Sequence, residues 1–146
     1  MSVPIHTSVS PTPWRELYAQ MLRWRQRMAI SADDTDLVDS THAFFGACFH
    51  LRDWLQADAS VPQGVGADAA TLVNTDASLK MCADLANGLK HLVLTHGTRT
   101  GTPISLSTDN PPTVYDAGGV PLGDAAVIAD RCIAAWDAFL KGHGLL

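Results

Sequence analysis

Apolar residues recur every three to four positions in four separate stretches of this chain, the period of a helix with one face turned inward. The first stretch, about Pro13–Met28, sets Trp14, Leu17, Tyr18, Met21 and Met28 on one side and Glu16, Gln20, Arg23 and Arg27 on the other. Thr12-Pro13 opens it, since threonine caps a helix and proline suits the first helical position. Ser31-Ala-Asp-Asp-Thr-Asp36 offers caps and negative charge for a second helix, which reaches about Gln56. Its inner side carries Leu37, Thr41, Phe44, Phe45, Cys48, Leu51 and Leu55. Gly46 weakens this helix relative to alanine, and that cost predicts a close approach by a neighbouring element.

A short helix is predicted at 67–74 and a longer one over about Asp76–Leu92. Leu79, Cys82, Ala83, Ala86, Leu89 and Val93 form the apolar side of the longer one. The last helix, about Asp124–Lys141, aligns Ile128, Cys132, Ala135, Trp136 and Phe139, and Gly142 or Gly144 ends it. Between Thr95 and Gly123 the texture changes to Gly, Pro and Thr. Two extended pieces, Pro103–Ser107 and Thr113–Tyr115, flank Asp109-Asn-Pro-Pro112, and Gly118-Gly119 makes a second turn. Residues 1–12 read as a loose arm. The pattern as a whole predicts one mainly α domain over 1–146. Its expected form is an antiparallel four-helix bundle with a short β-hairpin excursion at 95–123, before the last helix.

Composition narrows the classes. With 146 residues, 47% of them hydrophobic and 17% charged, the chain has the makings of a real core and is not a disordered segment. A net charge of −5 argues against a broad nucleic-acid footprint, though a local basic patch is compatible with it. No apolar run approaches the roughly 20 residues that span a bilayer. Met1–Pro13 lacks the charged start and apolar block of a secretion signal. The three cysteines, Cys48, Cys82 and Cys132, are odd in number and show no CxxC spacing. Each falls on or near an apolar helix side, so they are expected to be reduced and buried in a cytoplasmic protein.

Candidate chemistry concentrates in Asp84-Leu-Ala-Asn-Gly-Leu-Lys-His91. A helix gathers Asp84, Asn87 and His91 at i, i+3 and i+7 on one side, with Lys90 beside them. A carboxylate, an amide and an imidazole in one stripe suit ligand binding or proton transfer. They equally suit a hydrogen-bonded seam between helices. His91 is the candidate acid–base group, because imidazole titrates near neutrality. On the second helix, His50 and Asp53 lie at i and i+3 with Arg52 between them, and these three are the candidate binding residues. The spacing suits an orienting pair of His50 and Asp53, but the favoured reading is that Asp53 tethers Arg52, Lys90 or a backbone group.

The two sets are expected to face one another, as the only dense polar insertions in apolar helices. A metal set drawn from His42, His50, His91 and Asp84 lacks any HExxH or Glu-x-x-His pair, so neither metal nor cofactor is expected. Arg23, Arg25 and Arg27 form the one basic cluster and read as a solvated helix face. The four tryptophans read as core and interface anchors.

Two segments, Cys48-Phe-His-Leu-Arg-Asp-Trp54 and Cys82-Ala-Asp-Leu-Ala-Asn-Gly-Leu-Lys-His91, together with Trp136-Asp-Ala-Phe-Leu140, carry a resemblance. The chain resembles a group of small bacterial helical proteins with an aromatic-His-Leu-x-Asp-Trp segment followed by Cys-x-Asp-Leu-Ala-Asn-Gly-x-Lys-His. More distantly it is similar to the HEPN superfamily, four-helix proteins that include RNA-cleaving toxins and nucleotidyltransferase partners. That superfamily's active motif pairs an Arg with a His a turn or two further on. His91 matches the His, but Asp84, Leu85 and Ala86 stand where the Arg belongs, and Arg52 or Arg99 is the remote substitute. The resemblance therefore implies a binding or assembly domain without catalysis, acting on RNA or on a protein from a neighbouring gene. A metal-independent ribonuclease of a defence or toxin–antitoxin system, with His91 as its acid–base residue, is the alternative. The dimeric habit of the proteins it resembles, with Trp24 and Trp54 competing for one core, implies a homodimer.

Overall fold

The computed structural model describes residues 13–90, 99–101 and 103–146, except for the side chains of Leu89 and Lys90. The described residues form five helices: α1 (Pro13–Ala29), α2 (Asp34–Ala57), α3 (Val65–Thr75), α4 (Ala77–Lys90) and α5 (Ala125–Gly142). Three strands separate the last two helices: β1 (Ile104–Leu106), β2 (Thr113–Asp116) and β3 (Pro121–Asp124). The fold is mainly helical with a small antiparallel sheet in the order β1-β2-β3.

Local chemistry sets most of the boundaries. The Asp33 carboxylate accepts the Asp36 N–H at 2.8 Å and starts α2. Asp76 ends α3 and starts α4 at once: its N–H donates to the Leu72 carbonyl, while its carboxylate accepts the Leu79 N–H at 2.9 Å. Asp58 caps the far end of α2 by donating its N–H to the Trp54 carbonyl. The Asp58 carboxylate accepts from Ser60 and from the Trp14 N–H, which ties the start of α1 to the end of α2. The end of α5 is a complete Schellman motif. Gly144 is left-handed at φ 72°, its N–H donates to Lys141, and the Leu145 N–H reaches back to Leu140.

Helix α2 is the spine and touches each of the other helices. Trp14, Met21, Phe44, Phe45, Leu51, Leu55, Leu79, Ile128, Trp136 and Leu140 fill the core around it. The sheet packs through β1 against α4 and through β3 against α5. Val114 on the central strand is fully buried and anchors the sheet to the core.

The excursion is richer than the expected hairpin. Its first turn and first two strands lie where the extended pieces were read, but a third strand follows the Gly118-Gly119 turn. Pro121 and Gly123 hid that strand, because both residue types are poor strand formers, tolerated here on an exposed edge. The Asp116 carboxylate shapes the turn by accepting from the N–H groups of Gly118 and Val120, each at 2.9 Å.

A second correction concerns glycine. A Cβ built at Gly46 meets nothing within 4 Å among the described residues, so no neighbour explains that glycine. The close approach lies at Gly66 on α3 instead, where a Cβ would stand 2.8 Å from the Gln56 Cα. None of the described helices is long and apolar enough to cross a membrane.

Candidate functional site

Asp84 points inward from α4 and is 4% exposed. A carboxylate so buried needs partners, and it has three: the Arg99 N–H at 2.8 Å, the Thr100 N–H at 3.0 Å and the Thr100 hydroxyl at 2.7 Å. The sequence leaves Asp84 equally suited to a ligand-binding stripe and to a hydrogen-bonded seam. The structure makes it the anchor of the turn at 99–101.

That anchor fixes Arg99. Its Nε donates to the Asn74 side chain at 3.0 Å, and its guanidinium carbon lies 5.2 Å from the centre of the Phe49 ring. Arg52, one turn along α2 from Phe49, brings its own guanidinium to 4.6 Å from the same centre. Two cations thus share one aromatic ring, an arrangement favoured because the ring's negative faces attract positive charge. Arg52 is also paired with Asp53, through Nη2 at 3.0 Å. Among the described residues no carboxylate lies within ion-pair distance of the Arg99 guanidinium.

Between the two segments stand Arg99, one of the remote cations that the sequence offers, and Phe49, to which the sequence gives no part in the site. Asp84 does not touch His50 or Asp53; it holds Arg99 against the ring that Arg52 and His50 also approach. The His50 ring sits 5.9 Å from that of Phe49 and is exposed. Asp53 pairs with Arg52, the tether that the sequence favours over an orienting pair with His50. Asn87 is half-buried on α4. His91 and the Lys90 side chain lie outside the described residues.

Among the described residues, His42, His50 and Asp84 belong to no group of three or more ligand atoms close enough to hold one metal ion. Burial lowers the pKa of His42, and Asp39 partly counters this.

The basic cluster on α1 is dispersed. Arg25 pairs with Asp130 of α5 at 2.7 Å, and Arg27 reaches Asp36 at 3.6 Å while lying over Trp24. Arg23 lines an open groove of about 500 Å³ together with Arg15, Gln20 and Trp54.

A second constellation went unread in the sequence. Cys48 from α2, Cys82 from α4 and Cys132 from α5 are free and buried, as expected, but they also converge. Their sulfurs all lie within 4.8 Å of one another. The Cys82 thiol donates to the Phe45 carbonyl at 3.3 Å and the Cys132 thiol to that of Ser78 at 3.4 Å. The Trp136 indole donates to the Cys48 carbonyl at 3.1 Å. Burial opposes ionisation of Cys48, yet the donors around it, Cys132, Cys82 and Trp136, draw its pKa down. Burial and the same thiols push Cys82 up, and Cys48 is the main cause of the rise at Cys132. Helical periodicity put each cysteine on an inner face, but the levels at which three helices meet are not written in any one of them.

Compared with protein-family models, curated proteins and solved structures, the chain matches none.

Proposed function

We propose that the chain is a HEPN-like helical binding or assembly module without catalysis of its own, built on a four-helix plan and recognising a phosphate-bearing partner, RNA being the expected one. The observation that carries this reading is the pair of guanidiniums on Phe49. Arginine's planar fork suits phosphate oxygens, and Arg99 has no carboxylate partner among the described residues to compete for it. Phe49 and Asp84 hold that cation in place before any ligand arrives, which reduces the entropy lost on binding. The acidic chain confines attraction to this local patch.

Assembly as a homodimer belongs to the same proposal. Trp54 is 39% exposed beside the α1 groove, and a second copy would cover it. The cytoplasm is the proposed compartment, supported by three free thiols.

The alternative, a metal-independent ribonuclease using His91, has one observation in its favour. Arg99 brings from outside the motif the cation that Asp84, Leu85 and Ala86 do not provide, and cleavage through a 2′-hydroxyl needs such a charge beside the phosphoryl oxygens.

Labelled single-stranded RNA, titrated with the purified chain and followed by fluorescence anisotropy, separates the readings. The binding module should bind RNA without shortening it, with or without EDTA. Arg52→Ala with Arg99→Ala should weaken binding at least ~10-fold, the scale of losing two phosphate contacts. Cleavage by wild type that His91→Ala abolishes would replace the first reading with the second. Absence of binding, or binding indifferent to both arginines, would overturn the assignment of this face.

A further inference from the structure

We propose that Cys48, Cys82 and Cys132 form a buried three-sulfur site for a single thiophilic closed-shell ion, Cu(I). They are all the cysteines the chain has, they come from three different helices, and their sulfurs meet within 4.8 Å. Packing alone would be served by alanine or valine at any of the three positions. A trigonal ion with metal–sulfur bonds of ~2.3 Å sets its sulfurs ~4.0 Å apart, so the site needs to contract by less than an ångström.

The donor set selects the class of ion. Three sulfurs with no oxygen or nitrogen donor among them exclude the hard cations Ca²⁺ and Mg²⁺, which take oxygen ligands. Zn²⁺ in structural sites takes four ligands. Among the described residues no histidine, carboxylate or further cysteine joins the group, and the three cysteines are at most 1% exposed, so bulk water does not reach them as a fourth ligand. Cu(I) is soft and accepts three-coordinate sulfur.

Binding involves no electron transfer. As each sulfur–copper bond forms, that sulfur's proton leaves for solvent. The Cys82 and Cys132 thiols give up their hydrogen bonds to the Phe45 and Ser78 carbonyls, which remain available to the helical backbone. Because the ligands come from α2, α4 and α5, the ion would clamp the centre of the core.

The test is an anaerobic titration of the reduced, full-length chain with Cu(I), using bicinchoninate as the competing chelator. One Cu(I) per chain should bind, with a thiolate-to-copper charge-transfer band and a raised melting temperature. Each single Cys→Ser variant should bind at least ~10-fold more weakly, and the triple variant should lose the band. Copper-edge X-ray absorption of the loaded wild-type protein gives an answer that does not depend on whether the variants fold. Three sulfur neighbours and no lighter ones support the site. A nitrogen- or oxygen-containing shell, no uptake in competition with the chelator, or a stoichiometry unchanged in the triple variant would overturn it. So would a preference for Zn²⁺ over Cu(I).

Discussion

The Asp84 carboxylate receives the Arg99 backbone N–H at 2.8 Å across fifteen residues of chain, so one buried acid on α4 determines where a cation of the candidate face stands. Two more bonds from Thr100 complete its shell. Removing such an acceptor strands buried donors, and Asp84→Ala should cost about 2–4 kcal/mol in urea unfolding. Asp84→Asn keeps one carbonyl oxygen and should cost about half as much. RNA affinity should fall with the same variants. If Asp84→Ala left stability unchanged, Asp84 would not be the latch described.

Tyr18 links α1 to α5 by donating its hydroxyl to Asp137 at 2.5 Å. Partial burial, then this hydrogen bond and the carboxylate's charge, raises its pKa from 10.0 to about 12. The neutral phenol is therefore the form the fold prefers. Its contribution is fully present below the unfolded value and is lost as pH rises through the folded one, between 10.0 and about 12. The wild type should lose stability in that window, and Tyr18→Phe should show a flatter alkaline profile. Phenolate absorbance compared between the two proteins reports the Tyr18 titration directly.

Asp58 joins the ends of two helices and is 8% exposed. Burial opposes its charge, but the bonds from Ser60 and Trp14 outweigh that and lower its pKa. Its contribution is therefore present above the unfolded carboxylate value and lost as pH falls through the lower folded one. Asp58→Ala should cost about 1–2 kcal/mol at neutral pH, the range for losing a helix cap. It should also make unfolding less sensitive to acid. Guanidinium titrations at two pH values check both statements.

Two glycines on adjacent helices should respond in opposite ways. Gly46→Ala adds a methyl where nothing stands within 4 Å and should stabilise the chain by about 0.5–1 kcal/mol, from helix propensity alone. Gly66→Ala drives a methyl against the Gln56 backbone and should destabilise it by about 1–3 kcal/mol. Thermal melts of the two variants decide it, and a loss at Gly46 would show that something does pack there.

What the sequence determined by itself is local. Periodicity and capping place α1, α2 and α5 within a residue or two of their observed ends, because the groups that start and stop a helix lie within one turn of it. Asp33 and Gly144 act on their immediate neighbours. Burial of Cys48, Cys82 and Cys132 was legible for the same reason. Tertiary structure alone decided the rest. Which way α4 turns about its axis makes Asp84 a buried anchor, where the sequence left a binding stripe and a hydrogen-bonded seam equally open. The path of the chain after α4 brings Arg99 onto Phe49, and the crossing of three helices joins three sulfurs. β3 forms despite Pro121 and Gly123 because pairing with β2 outweighs weak propensity. The anchor, the cation on Phe49 and the joined sulfurs each depend on a partner fifteen or more residues away, and helical periodicity carries no record of how deep or at what angle that partner packs.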